Sequence, residues 1–173
     1  MPCAILAGYA LDCKDAVGGI KNIYIAPSSS VSSVAENASG YVTGITMVGT
    51  NKFFKYELEP RGANSATSNI NSDPAVGTVA YEQTLSVSFL KMKYETSNKL
   101  QTIIANRTDI LVEMKTGQFF YYGKENGMEV NGGTAATGAA MNEFNGYNLT
   151  FSGMEKTLPQ EVNPTLIAAI TAS

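Results

Sequence analysis

The sequence predicts a mainly β fold: an antiparallel β-sandwich or barrel with one internal helix over about 97–106, a long hairpin loop over 61–78, and a short C-terminal helical tail. Three observations carry this expectation. Apolar residues recur at every second position in Lys52–Glu59, Val79–Met92 and Tyr147–Ser152, the period of a half-buried strand. Gly, Asn, Ser and Pro clusters separate these runs and supply turns. Helix signals occur in only two places, around Leu100, Ile103 and Ile104 and in the tail after Pro159.

Taken in order, Ile20–Ala26 follows Gly18-Gly19, carries Ile20, Ile23, Tyr24 and Ile25, and stops at Pro27; it reads as a strand. Ser28–Ser33 reads as a polar connector. Tyr41–Val48 is a β-branched run between Gly40 and Gly49, and Gly49-Thr50-Asn51 reads as a hairpin loop leading into Lys52–Glu59. In that strand Phe54, Tyr56 and Leu58 share one face, and Lys55, Glu57 and Glu59 the other. Arg61–Thr78 holds hardly an apolar anchor and reads as an extended mobile tip between two strong strands, a length that is normally functional or disordered. Val79–Met92 alternates Leu85, Val87 and Phe89 against Thr84, Ser86 and Ser88. Thr96, Ser97 and Asn98 are candidate caps for the helix that follows, roughly Ser97–Asn106. Asp109–Lys115 and Gln118–Gly123 form the next strand pair about Thr116-Gly117, and another strand lies near Met128–Val130. Asn131–Asn142 reads as a small-residue loop before the last strand. Asn163-Pro164 marks the start of the terminal helix, with Asn at the cap and Pro at the first helical position. Its apolar residues Leu166, Ile167 and Ile170 need a surface to cover, on this chain or on a neighbour.

The 173 residues suit one domain, 1–173, with 1–19 as an N-terminal arm, 61–78 as an extended loop and 157–173 as a C-terminal tail. Charged residues are only 16% and the net charge is −3, with Arg61 and Arg107 as the only arginines. A dedicated nucleic-acid binder needs a basic stripe, so that class is disfavoured. Histidine is absent, which removes His-dependent triads and His-ligated metals together. Cys3 and Cys13 are too few for a structural zinc site; they read as reduced thiols, with a disulfide left open. The first residues lack the basic region of a secretory signal, and no apolar run approaches the ~18 residues of a membrane span. The expectation is a soluble protein made in a cytoplasm, without membrane contact.

No catalytic, cofactor or metal site emerges. Asp12 with Asp15, Glu57 with Glu59, and Glu125 with Glu129 are carboxylate pairs in turn and edge contexts, read as solvated surface. Gly123–Gly127 completes no Walker pattern, and Gly132–Gly138 precedes a strand rather than opening a helix. Asn69, Asn71 and Asp73 alternate like calcium ligands, but no bidentate acid follows at the right offset. Phe119–Tyr122 reads as core, with a stacking platform as the alternative. The chain invests instead in Ser/Thr/Asn-rich strand faces opposite apolar ones, which suits a subunit that buries polar faces against its own copies.

Two stretches carry a resemblance. Gly8–Ile25, with Leu11-Asp12-Cys13-Lys14-Asp15-Ala16-Val17-Gly18-Gly19 at its centre, resembles the opening of structural proteins of Bacteroidetes bacteriophages. Gly146–Lys156, with Phe119–Gly123 upstream, is similar to the closing hairpin of phage tail-tube proteins. The resemblance implies a virion structural protein, assembled in the host cytoplasm, that forms a homo-oligomeric ring, hexameric in the family, stacked as a tube through which DNA passes without specific binding. It assigns the 61–78 segment, with Arg61, Asn64, Asn69 and Asp73, to contact with the next ring, and lets a terminus, including Leu166, Ile167 and Ile170, dock on a neighbour. Capsid decoration or a head–tail component is the alternative virion role. A non-catalytic glycan-binding module using Tyr121, Tyr122 and Tyr147 is the alternative from another class.

Overall fold

The computed structural model describes Ile5 and residues 7–172. Cys3, and with it the question of a Cys3–Cys13 bond, lies outside the described residues; Cys13 is exposed. Twelve strands form two sheets: β1 (Ile20–Pro27), β2 (Val31–Glu36), β3 (Val42–Met47), β4 (Phe53–Glu57), β5 (Ser65–Asp73), β6 (Thr78–Leu90), β7 (Thr108–Met114), β8 (Phe119–Tyr122), β9 (Glu129–Ala136), β10 (Gly146–Glu155), β11 (Gln160–Val162) and β12 (Thr171–Ala172). Helix α1 (Tyr94–Ile104) lies between β6 and β7, and α2 (Pro164–Ile170) between β11 and β12. Pairing is antiparallel except where β11 meets β3 and β12 meets β4. The fold is mainly β, as the alternation requires.

The larger sheet runs β12-β4-β1-β7-β8-β11-β3-β2, and two of its connections force it to curl. Strands β3 and β4 are consecutive in sequence yet five places apart in the sheet. Laid flat, five strand spacings would separate them by about 24 Å. Six residue steps reach at most about 22 Å fully extended, and this connection also turns, with the Asn51 N–H donating to the Val48 carbonyl at 3.2 Å. Likewise α2, about 10 Å long, carries the chain from β11 to β12 at the opposite edge. The expected hairpin about Gly49–Asn51 is therefore corrected: this loop bridges the mouth of a curled sheet.

Curling buries the central strands on both faces. Along β7, Ile110 and Val112 enter one core while Leu111 enters the other. In β1, Ile23 and Ile25 oppose Tyr24 and Ala26, and in β8, Phe120 and Tyr122 oppose Phe119 and Tyr121. The inner core, inside the curl, gathers Phe53, Val42, Leu111 and Tyr121 under Ile167 and Ile170 of α2. The outer core lies between the curled sheet, the smaller sheet and α1, through Leu85, Val87, Phe151, Leu100 and Ile103. Each such aliphatic or aromatic side chain contributes about 1.5–3 kcal/mol when fully buried.

The smaller sheet runs β5-β6-β10-β9 and corrects three expectations. The 61–78 segment is not a structureless tip. Ser65–Asp73 is a strand paired residue for residue with β6, from Ser65↔Ser86 to Asp73↔Thr78, which leaves only Pro74–Gly77 as the turn. An edge strand needs few apolar anchors because one backbone side bonds its neighbour, so a Ser/Asn-rich strand imitates a loop in sequence. For the same reason β6 pairs with β5 and β10, not with the Lys52–Glu59 strand. The 131–142 segment is strand as far as Ala136, where small residues are required by close approach. A Cβ at Gly133 would stand 2.3 Å from the Asn148 carbonyl oxygen.

Smaller differences are local. Helix α1 begins at Tyr94, so Thr96, Ser97 and Asn98 lie inside it, and no side chain caps it. The Ser28–Ser33 connector is a single 3-10 turn, Ser28–Ser30, running into β2. The signal at α2 holds as read: Asn163 Oδ1 accepts from the Thr165 N–H at 3.0 Å, with Pro164 at the first turn. Residues 7–18 hold no helix or strand and are exposed throughout.

Candidate functional site: the four-stranded sheet and its edges

The register of the smaller sheet sorts its residues into two faces. Gln83, Leu85, Val87 and Phe89 of β6, with Leu149 and Phe151 of β10, point into the core and are buried. The other parity points outward: Ser65, Thr67, Asn69, Asn71 and Asp73 of β5, Thr84, Ser86 and Ser88 of β6, Asn148, Thr150 and Ser152 of β10, and Gly132 and Thr134 of β9. This face contains no lysine or arginine. Among the described residues, the charges its strands carry are Asp73, Glu82 and Glu129, and Arg107 pairs with Glu129 at 3.2 Å from beside the sheet. Ser88 Oγ donates to Asn148 Oδ1 at 2.6 Å across two strands, so the face is tied together by neutral hydrogen bonds.

Both outer strands of this sheet are open. Among the described residues β5 pairs only with β6 and β9 only with β10, so alternate N–H and C=O groups of each point away from the sheet. Proteins that stay apart guard such edges with Lys, Pro, bulges or very short strands. Neither β5 nor β9 contains a Lys or a Pro. A single bulge, opposite Thr150/Phe151, interrupts β9. The β5–β6 ribbon also runs beyond the core: Ile70 and Val79 have inward parity but are 62% and 54% exposed.

The residues expected at the 61–78 segment fall into different roles. Arg61 is exposed, with Glu59 3.8 Å away. Asn64 is buried and ties the ribbon base to the body, its Oδ1 accepting from the Ser88 N–H at 2.8 Å and its Nδ2 donating to the Glu59 carbonyl at 3.4 Å. Asn69 stands exposed on the outward face opposite Glu82. Asp73 closes the turn, its Oδ1 accepting from the Ala75 N–H at 3.0 Å. Of the terminal residues, Ile167 and Ile170 are buried in this chain's own inner core and Leu166 packs beside it. Their docking surface is intramolecular, because α2 fills the curl that its own sheet creates.

The tyrosine platform is also corrected. Tyr121 and Tyr122 are buried, and only Tyr147 is partly accessible. Sequence reasoning missed three buried carboxylates, which look like ordinary strand acids until their neighbours are known. Asp109 accepts from Ser28 Oγ at 2.5 Å and from the Tyr121 hydroxyl at 2.6 Å. Burial pushes its carboxyl up, against the pull of those two donors and with the Glu155 charge adding to the rise. Glu113 is also pushed up by burial, but Lys21, Asn22 and Tyr24 together hold it below the ordinary value. Glu155 accepts the Asn126 N–H at 2.9 Å and orders the turn between β8 and β9. All three serve local frameworks. An open groove of about 730 Å³ runs between α1, β4 and the end of β6, lined by Tyr56, Leu58, Phe89 and Ile103. Among the described residues, no three His, Cys, Asp or Glu side chains converge as metal ligands would, and no described helix is long and apolar enough to cross a membrane.

Compared with known proteins, the chain matches no family model, no curated protein and no solved structure. The functional reading therefore rests on the sheet itself.

Proposed function

We propose that this chain is a structural subunit that joins copies of itself edge to edge through the four-stranded sheet, closing a ring of the kind stacked in bacteriophage tail tubes. The observation that carries the reading is the combination, on one sheet, of two open edge strands without Lys or Pro and an outward face whose strand residues include no Lys or Arg. β5 of one copy meets β9 of the next, a head-to-tail contact that repeats until the ring closes and no edge is left. Six copies would place the backbone on a circle of roughly 115 Å circumference at the strand spacing of a sheet, before any strand tilt. The Ser/Thr/Asn face would line the bore. A conduit for a polyanion works best without cations that hold phosphate, and the strand residues of this face are acids, neutral polar groups and a few apolar side chains. The projecting β5–β6 ribbon, with Ile70 and Val79 exposed, suits a contact with the next ring.

The exposed arm over 7–18 favours a second reading, a decoration or head–tail subunit that clamps a preformed shell. The two readings separate on one property, assembly of the protein alone. Thr67→Lys with Asn69→Lys places two cations on exposed β5 positions, where they guard the edge without touching the core. The double variant is expected to stay folded by circular dichroism and to lose ring formation in scattering and electron microscopy. Rings unchanged by it would remove β5 from the interface.

A further inference from the structure

The weakest seam of the curled sheet lies at β11, which joins β3 through the single pair Val162↔Val42. Three side chains close over this seam: Glu36 at the end of β2, Lys124 just after β8, and Gln160 at the start of β11. Lys124 Nζ donates to Glu36 Oε1, and also to Gln160 Oε1 at 2.6 Å. Gln160 Nε2 donates to the other oxygen of Glu36 at 2.8 Å, so the three groups form a closed ring of hydrogen bonds. The Lys124 side chain is 13% exposed, and Gly40 covers the amide so closely that a Cβ there would stand 3.2 Å from Gln160 Nε2.

We infer that this ring is a modification site at which Lys124 and Gln160 join in an intramolecular isopeptide bond, with Glu36 as the proton carrier. An amine 2.6 Å from the carbonyl oxygen is at most about 3.8 Å from its carbon, one C=O bond further on. A small rotation of the amide then brings it to the ~3–3.5 Å of a near-attack geometry. The atoms balance without an oxidant. The Lys124 ammonium gives a proton to Glu36, neutral Nζ attacks Gln160 Cδ, and Glu36 returns the proton to Nε2. The Cδ–Nε2 bond breaks as the Nζ–Cδ amide forms, and the departing ammonia takes the second proton of Nζ and leaves as ammonium. In the resting state the Lys124 hydrogen bond holds the Glu36 carboxyl below its ordinary value, so the ion pair must first be discharged. That discharge makes the reaction slow, and the proton stays within the pair until Nε2 takes it. Its product would tie β2, β8 and β11 across the seam covalently. The inference is independent of the assembly reading.

The test uses the full chain, incubated folded at pH 7, 8 and 9 and digested with trypsin. The expected result is a linked peptide containing Lys124 and Gln160, lighter than its parts by one ammonia. Because the proton passes within the Lys124–Glu36 pair, its formation rate should differ by less than about twofold across this pH range. Identification of the linked peptide is needed because succinimide formation at Asn126-Gly127 also releases ammonia. Glu36→Gln and Lys124→Arg, both checked for fold by circular dichroism, should give no link. Separate Lys124 and Gln160 peptides from folded protein after prolonged incubation at pH 9 would overturn the bond. Equal linking in Glu36→Gln would overturn the role given to Glu36.

Discussion

The two sheets of this protein solve opposite problems. The eight-stranded sheet curls until its central strands are buried on both faces, and α2 fills the hollow. The four-stranded sheet buries one face only, and leaves β5 and β9 as open edges beside a largely polar surface. One sheet finds its partners within the chain; the other is left with unmade backbone hydrogen bonds of the kind a second copy can complete. Stability and assembly should therefore separate under mutation.

The largest expected effects lie in the curled sheet. Phe53 and Leu111 are fully buried in its hollow, so Phe53→Ala or Leu111→Ala should each lower unfolding free energy by about 3–5 kcal/mol in urea melts. Next comes Glu113→Gln. It removes the carboxylate that Lys21, Asn22 and Tyr24 surround, and should cost about 2–3 kcal/mol near neutral pH, the scale of hydrogen bonds to a charged group. The pH dependence has a definite sign. The folded carboxyl titrates below its unfolded value of 4.5, so its contribution is complete above that value and is lost as pH falls through the folded one. The wild type should therefore lose more stability than Glu113→Gln on acidification below about pH 5. Asp109 runs the other way: its raised folded value means a stability cost that sets in as pH rises above the unfolded value of 3.8.

Gly133→Ala sharpens the comparison at the open edge. A methyl would stand 2.3 Å from the Asn148 oxygen, and displacing β9 should cost about 1–3 kcal/mol while impairing assembly more visibly than folding. Smallest is Thr84→Val in the middle of the outward face. It should change the monomer by no more than about 0.5 kcal/mol in urea melts, which would place that face outside the folding core.

Much of this contrast could be read in the sequence, and the rest was hidden for physical reasons. Where a strand buries an apolar face, as in Val79–Met92 or Tyr147–Ser152, alternation marked it. The Asn163-Pro164 start of α2 was also legible, because capping is a local interaction. Ser65–Asp73 and the Asn131–Ala136 part of β9 read as loops because an open edge with an exposed outer side asks for no apolar period. These are the strands on which the proposed assembly depends. The destination of Leu166, Ile167 and Ile170 was equally hidden, since only the curl of distant strands creates the hollow they fill. Nothing in the sequence set Asp109 and Glu113 apart, because burial on both faces of a strand is a tertiary property. Conversely, the cation-poor composition already contained the character of the outward face, though not its location.

The most direct test of the central claim is electron microscopy of the purified protein over rising concentration, read beside its mass by light scattering. Rings or stacked tubes with a central channel are expected, lost in the Thr67→Lys, Asn69→Lys double variant while the fold persists. A protein that remains monomeric and featureless at high concentration would contradict assembly through these edges.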